Sequence, residues 1–168
     1  MNRLLTTGAV LLLASCAVPE DPVPTPDNGL PSLAADRSQP QLALMDHILG
    51  NYFASDVPLR PTICASTHDG RSEVALAPEA ELALMTRYEA LAPFARCASI
   101  DGVWQDSETG GPAMVFTIHS FSCPDADHCS GFGGYVAGQT NSMSVQYTMA
   151  FADGGWTFTR DPRLIGES

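Results

Sequence analysis

From Met143 to Phe151 the chain alternates without a break: Met143, Val145, Tyr147, Met149 and Phe151 interleave with Ser144, Gln146, Thr148 and Ala150. Such a period of two belongs to a strand with one buried and one wet face. Asp153-Gly154 follows directly, the composition favoured by a two-residue type I′ hairpin, and Gly155-Trp156-Thr157-Phe158-Thr159 resumes the alternation. That turn fixes the register, with Phe151 opposite Trp156, Met149 opposite Phe158 and Thr148 opposite Thr159. Aromatic partners then fall on one face and threonines on the other. A slip of one residue would scramble both faces, so turn chemistry and hydrophobic pattern demand the same antiparallel sheet. The same period predicts further strands near 98–104, 113–123, 130–138 and 142–152, the last hairpin arm running over 155–160. A shorter strand is expected at 62–67, ending at the turn His68-Asp69-Gly70.

Helical spacing is confined to two earlier segments. Ser38-Gln39-Pro40-Gln41 matches a capping box, and Leu42, Met45, Ile48, Leu49, Tyr52 and Phe53 follow on one face. A helix over 39–54 is expected. A second begins at Pro78, with Glu79 and Glu81 in the first turn where the helix dipole favours acids, and runs to Pro93 with Leu82, Met85, Tyr88 and Ala92 on one face. The fold class that follows is α+β: two N-terminal helices packed on a curved antiparallel sheet of five to six strands. This element order resembles the cystatin-like and nuclear-transport-factor-like cone folds. The resemblance implies a pocket between helices and sheet.

The N-terminus carries an address. Met1-Asn2-Arg3 precedes an apolar run from Leu4 to Leu13, too short for the roughly 20 residues a bilayer-spanning helix needs. The run ends in Leu13-Ala14-Ser15-Cys16, which resembles the lipobox of bacterial lipoproteins. That resemblance implies cleavage before Cys16, lipidation of its thiol and a membrane anchor; two or three acyl chains hold stably where one does not. With Ala17 next, and not an acidic residue, the implied address is the periplasmic face of the outer membrane. Prolines at 19, 22, 24, 26 and 31 among acidic and small residues then make an extended linker. The expected organisation is a signal peptide over 1–15, a lipid-anchored linker over 16–37 and one globular domain over 38–168.

Charge narrows the partners. The chain carries a formal charge of −11, has no lysine, and becomes one unit more acidic once Arg3 leaves with the leader. Nucleic acid, bound chiefly through basic contacts to phosphate, is excluded as a partner. An envelope protein or a small apolar ligand remains, beside the membrane itself through Cys16.

Four cysteines remain after Cys16, an even number in an oxidising compartment and hence two disulfides. Of three connectivities the favoured one is Cys64–Cys97 with Cys123–Cys129, the latter flanking the turn-like Pro124-Asp125-Ala126. Loop entropy gives these closures about 3.8 and about 2.4 kcal/mol.

Candidate chemistry is sparse. His47 reads as a boundary residue of the first helix and His68 as a solvated turn residue. The segment from His119 to Cys129 holds two His, two Cys and two Asp, so a divalent-cation site on Asp125, Asp127 and His128 stands beside the plainer reading of a disulfide-stapled hairpin tip. If Cys123 and Cys129 are directly opposed, His119 faces Gly133, Thr117 faces Tyr135 and Phe121 faces Gly131. His119 and Tyr135 then become acid/base candidates in any pocket there, and a cavity lined by Phe116, Phe132, Trp156 and His119 would mark a ligand carrier or enzyme. No nucleophile elbow, phosphate-cradling loop or metalloprotease spacing occurs, and no cofactor is expected. The expected function is a non-enzymatic envelope binding or interaction module; the alternatives are a small-ligand carrier or enzyme using a cone-fold cavity, and a cation-binding module.

Overall fold

Among the described residues, two helices and eight strands form in the order α1 (Pro40–Ala54), β1 (Thr62–His68), β2 (Glu73–Ala75), α2 (Pro78–Arg87), β3 (Cys97–Ile100), β4 (Val103–Asp106), β5 (Ala113–Ser122), β6 (His128–Gly138), β7 (Asn141–Ala152) and β8 (Gly155–Glu167). This is a computed structural model, describing residues 29–57 and 59–167, with side chains described as far as Asp161. The expected signal peptide, Cys16 and the expected linker up to residue 28 lie outside the described residues. Six strands make one open, curved sheet in the order β2-β1-β5-β6-β7-β8, and β3-β4 form a separate two-stranded piece. The class is α+β, as the sequence indicates. One pairing departs from the antiparallel expectation: β1 runs parallel to β5, with Ile63 against Met114 and Ala65 against Phe116. A parallel neighbour needs a crossover, and α2 with the β3-β4 hairpin supplies it.

The C-terminal hairpin forms with the register the sequence demands. Thr148 pairs with Thr159, Met149 with Phe158 and Phe151 with Trp156, while Asp153 and Gly154 take φ of 53° and 83°. The same Asp-Gly chemistry recurs at Asp101 (φ 52°) and Gly102 (φ 77°), folding the single strand expected over 98–104 back on itself as β3 and β4.

On one face of the sheet α1 buries Leu42, Leu44, Met45, Ile48 and Leu49 against Phe116, Ile118, Val145, Tyr147 and Met149. Each such aliphatic side chain, fully withdrawn from water, contributes about 1.5–3 kcal/mol. The capping box does not form: Gln39 is the N-cap, Ser38 Oγ donates to Asp36, and the Gln41 amide donates to Thr67 at 3.3 Å. Tertiary partners have taken both side chains. His47 is half-buried and stacks on Phe158 with ring centroids 4.2 Å apart.

The second helix ends at Arg87 and not at Ala92. Tyr88 leaves the helix so that its hydroxyl can donate to Asp46, whose carboxylate and carbonyl oxygens lie 2.8 and 2.9 Å away. Leu91 then bridges to Ile63 of β1, and the Ala92 N–H donates to the Ile63 carbonyl. The buried face of α2 is accordingly set by Leu84, while Leu82 remains 66% exposed. Arg87 is buried against Asp46, with Nε 3.3 Å from its carboxylate. Burial pushes the Asp46 carboxyl above its usual range, opposed by the Tyr88 hydroxyl and Arg87.

The end of the expected linker belongs to the domain. Leu33–Ala35 forms a 3-10 turn, Leu33 and Ala34 pack on the core, and the Trp156 indole donates to the Asp36 carbonyl at 3.1 Å. Arg37 pairs with Asp127 at 2.6 Å and lies over the Phe151 ring. The Arg87 guanidinium donates to the Pro31 carbonyl. These contacts fasten residues 31–37 to the domain.

Candidate functional site

Both disulfides join the expected partners, Cys64 with Cys97 and Cys123 with Cys129, and each shapes one region of the molecule. The first pins β3 across the sheet face opposite α1. There Cys64, Cys97, Trp104, Ala113 and Val115 make a second small core. Asp106 anchors that hairpin: its carboxylate accepts from the Thr62 hydroxyl at 2.6 Å, from Arg96 at 2.5 Å and from two backbone N–H groups. The Arg96 and Thr62 hydrogen bonds hold its carboxyl well below the usual range.

The second disulfide closes the β5-β6 loop, and the three cation candidates sit on it without converging. The Asp125 carboxylate accepts from the Asp127 and His128 N–H groups at 2.8 Å and lies 3.0 Å from His128 Nδ1. The Asp127 carboxylate faces Arg37. Among the described residues no three His, Cys, Asp or Glu side chains are placed to share a metal ion. The loop is held by its own acids.

Between His119 and Ser122 strand β5 carries one extra residue. Ser120, at φ 50°, takes the bulge. Register near the disulfide is as expected, with Ser122 against Ser130, but beyond the bulge it shifts by one: His119 faces Phe132, Ile118 faces Gly133, Thr117 faces Gly134 and Phe116 faces Tyr135. In a strand that shift exchanges faces. Tyr135 consequently packs towards α1 with Phe116, ring centroids 6.0 Å apart, whereas His119 lies on the opposite face, stacked on Phe132 at 5.1 Å. His119 and Tyr135 both line one cleft, described next, but their rings pack on opposite faces of the sheet. For the same reason Phe116 and Trp156, both in the α1-side core, do not share a cavity with His119 and Phe132.

The structure assembles something else around His119. On the outer face, beside the region β3-β4 covers, is an open cleft of about 340 Å³ lined by His68, Glu73, Thr117, His119, Gly134, Tyr135, Val136, Ser142, Met143 and Ser144. Strand pairing explains the set: β1 sets His68 beside Glu73 of β2, and β5, β6 and β7 set Thr117, Gly134 and Ser144 in one row. The missing side chain at Gly134 lets the His119 ring reach across β6 to Ser144, Nε2 to Oγ 2.9 Å. Its Nδ1 lies 3.3 Å from Ser120 Oγ. Because a hydroxyl donates or accepts, either neutral tautomer satisfies both contacts. Burial lowers the His119 pKa, the nearby His68 adds to this, and Glu73 opposes it. His68 is fixed differently: Gly70 N–H donates to its Nδ1 at 3.0 Å, so the neutral ring carries its proton on Nε2. Glu73 is the acid of the cleft, and no lysine or arginine lines it.

Thr117 is the anomaly in this wall. It is 9% exposed, and its hydroxyl has no hydrogen-bond partner. A buried unsatisfied hydroxyl costs about 1–3 kcal/mol. Replacing Thr117 by Val, which keeps the shape and removes the orphan group, is expected to raise stability by about 1–2 kcal/mol in urea unfolding. An unchanged or lowered midpoint would mean that the hydroxyl is satisfied.

Thr117, Glu73 and the serines of β7 carried no motif in the sequence; only the sheet register gathers them. Gly134 offered a signal, a glycine inside an alternating strand, which marks close approach of backbone or ligand. In comparisons with known proteins, no protein-family model, curated protein or solved structure matches the chain.

Proposed function

We propose that this protein is a lipid-anchored envelope lipoprotein whose domain works as a non-enzymatic binding module, using the outer-face cleft. The observation that carries the binding reading is the open cleft itself, with its wall of imidazoles and hydroxyls. The address is supported by cysteine usage: the four cysteines downstream pair off as disulfides, as an oxidising compartment favours, leaving Cys16 of Leu13-Ala14-Ser15-Cys16 for lipid. The tethered domain would then sit at the periplasmic face of the outer membrane.

The test is a fractionation with and without Cys16. Wild-type protein is expected in the outer-membrane fraction and to incorporate labelled palmitate. Cys16→Ser is expected in the soluble periplasm without label. Unlabelled, soluble wild-type protein would overturn the anchor.

A further inference from the structure

We infer that the outer-face cleft takes a neutral, polyhydroxylated ligand, one or two sugar rings of a glycan. The inference rests on the binding reading above and narrows its ligand class. Charge excludes first. An anionic ligand would meet Glu73 with no arginine or lysine in the lining to balance it, in a chain already at −11. Of the groups facing the cleft, burial lowers the His119 pKa, and His68 accepts from a backbone N–H. A polycation would find one carboxylate only, too little to offset its loss of hydration.

Most of the lining surface is apolar, and its polar part is a mixture of donors and acceptors. The hydroxyls of Ser142 and Ser144 act in either sense, His68 Nε2 donates, and Glu73 accepts. A sugar ring presents the same mixture along its edge and C–H groups on its faces. The lining supplies both kinds of surface. Val136 and the half-buried His119 ring, kept flat by Phe132 at an interplanar angle of 9°, provide the apolar part. Aromatic faces carry the negative end of the ring quadrupole and attract such C–H groups. The volume, about 340 Å³, lies at the small end of ligand sites, which limits the occupant to a short stretch of a chain.

The experiment is an NMR titration of the oxidised, isotope-labelled protein with three neutral trisaccharides (cellotriose, maltotriose, chitotriose), with trigalacturonate as the anionic analogue and spermidine as the cation. At least one neutral sugar is expected to shift the amides of His68, Thr117, His119 and Ser144 saturably, while trigalacturonate and spermidine leave them in place. Ser144→Ala is expected to weaken that binding about tenfold, the worth of one hydrogen bond. Its urea midpoint, expected near that of the wild type, separates loss of binding from loss of fold. If trigalacturonate or spermidine shifts these amides and the neutral sugars do not, the sugar assignment falls and the cleft remains a binding site. If no probe shifts them up to about 10 mM, both fall.

Discussion

Removing the Cys64–Cys97 bridge by a Cys64→Ala, Cys97→Ala double substitution is expected to destabilise the domain by about 3.8 kcal/mol or more, on the order of 10 °C in Tm. Closing 33 residues of chain restricts the unfolded state, and the loss of two buried sulfurs, in side chains 0% and 6% exposed, adds a packing cost. The effect has a place as well as a size. The bridge holds β3-β4 on the outer face, and the wall of Trp104, Ala113 and Val115 beside the cleft depends on it. Amide exchange should therefore quicken in β3 and β4 before it does in β7 and β8. The matching loss of Cys123–Cys129, which spans only six residues, is expected to cost about 2.4 kcal/mol. If urea unfolding places the two double variants in the reverse order, loop closure is not what governs them.

Gly134→Ala is expected to cost about 3 kcal/mol or more, although alanine differs from glycine by one methyl group. A Cβ at this position would lie 1.9 Å from the Met143 carbonyl oxygen and within 3 Å of the carbonyl carbon and the Ser144 Cα. All three are backbone atoms of the paired strand, so no side chain can swing aside. Relief requires β6 and β7 to part where Gly134 meets Ser144, which also breaks the reach of His119 to Ser144. Gly138→Ala is the control, since its Cβ would meet nothing within 4 Å. Equal midpoints for the two variants would show that the strands adjust without cost.

What was legible in the sequence follows from how local each signal is. The Asp153-Gly154 hairpin, the span of α1 and the cysteine pairing rest on short-range chemistry, and all three are formed. The Asp101-Gly102 turn had the same local signal, but the run from Ala98 to Trp104 reads as one strand across it, and only the pairing of Ser99 with Trp104 reveals two. The end of α2 was not legible, because Tyr88 leaves its helix for a partner 42 residues away. The bulge at Ser120 was hidden too: serine carries no demand for positive φ, and that one inserted residue decides which face His119 occupies. Hence the candidates on the staple loop came from sequence proximity, whereas the cleft came from register.

The strap over 31–37 has an orienting effect. One of its fastenings is the carbonyl of Pro31, gripped by Arg87, which is itself buried against Asp46 of α1. Anything pulling from upstream therefore delivers its load to the helical layer, on the far side of the sheet from His119 and Ser144. With lipid on Cys16, the helices would look down at the bilayer and the glycan-sized opening would look outward.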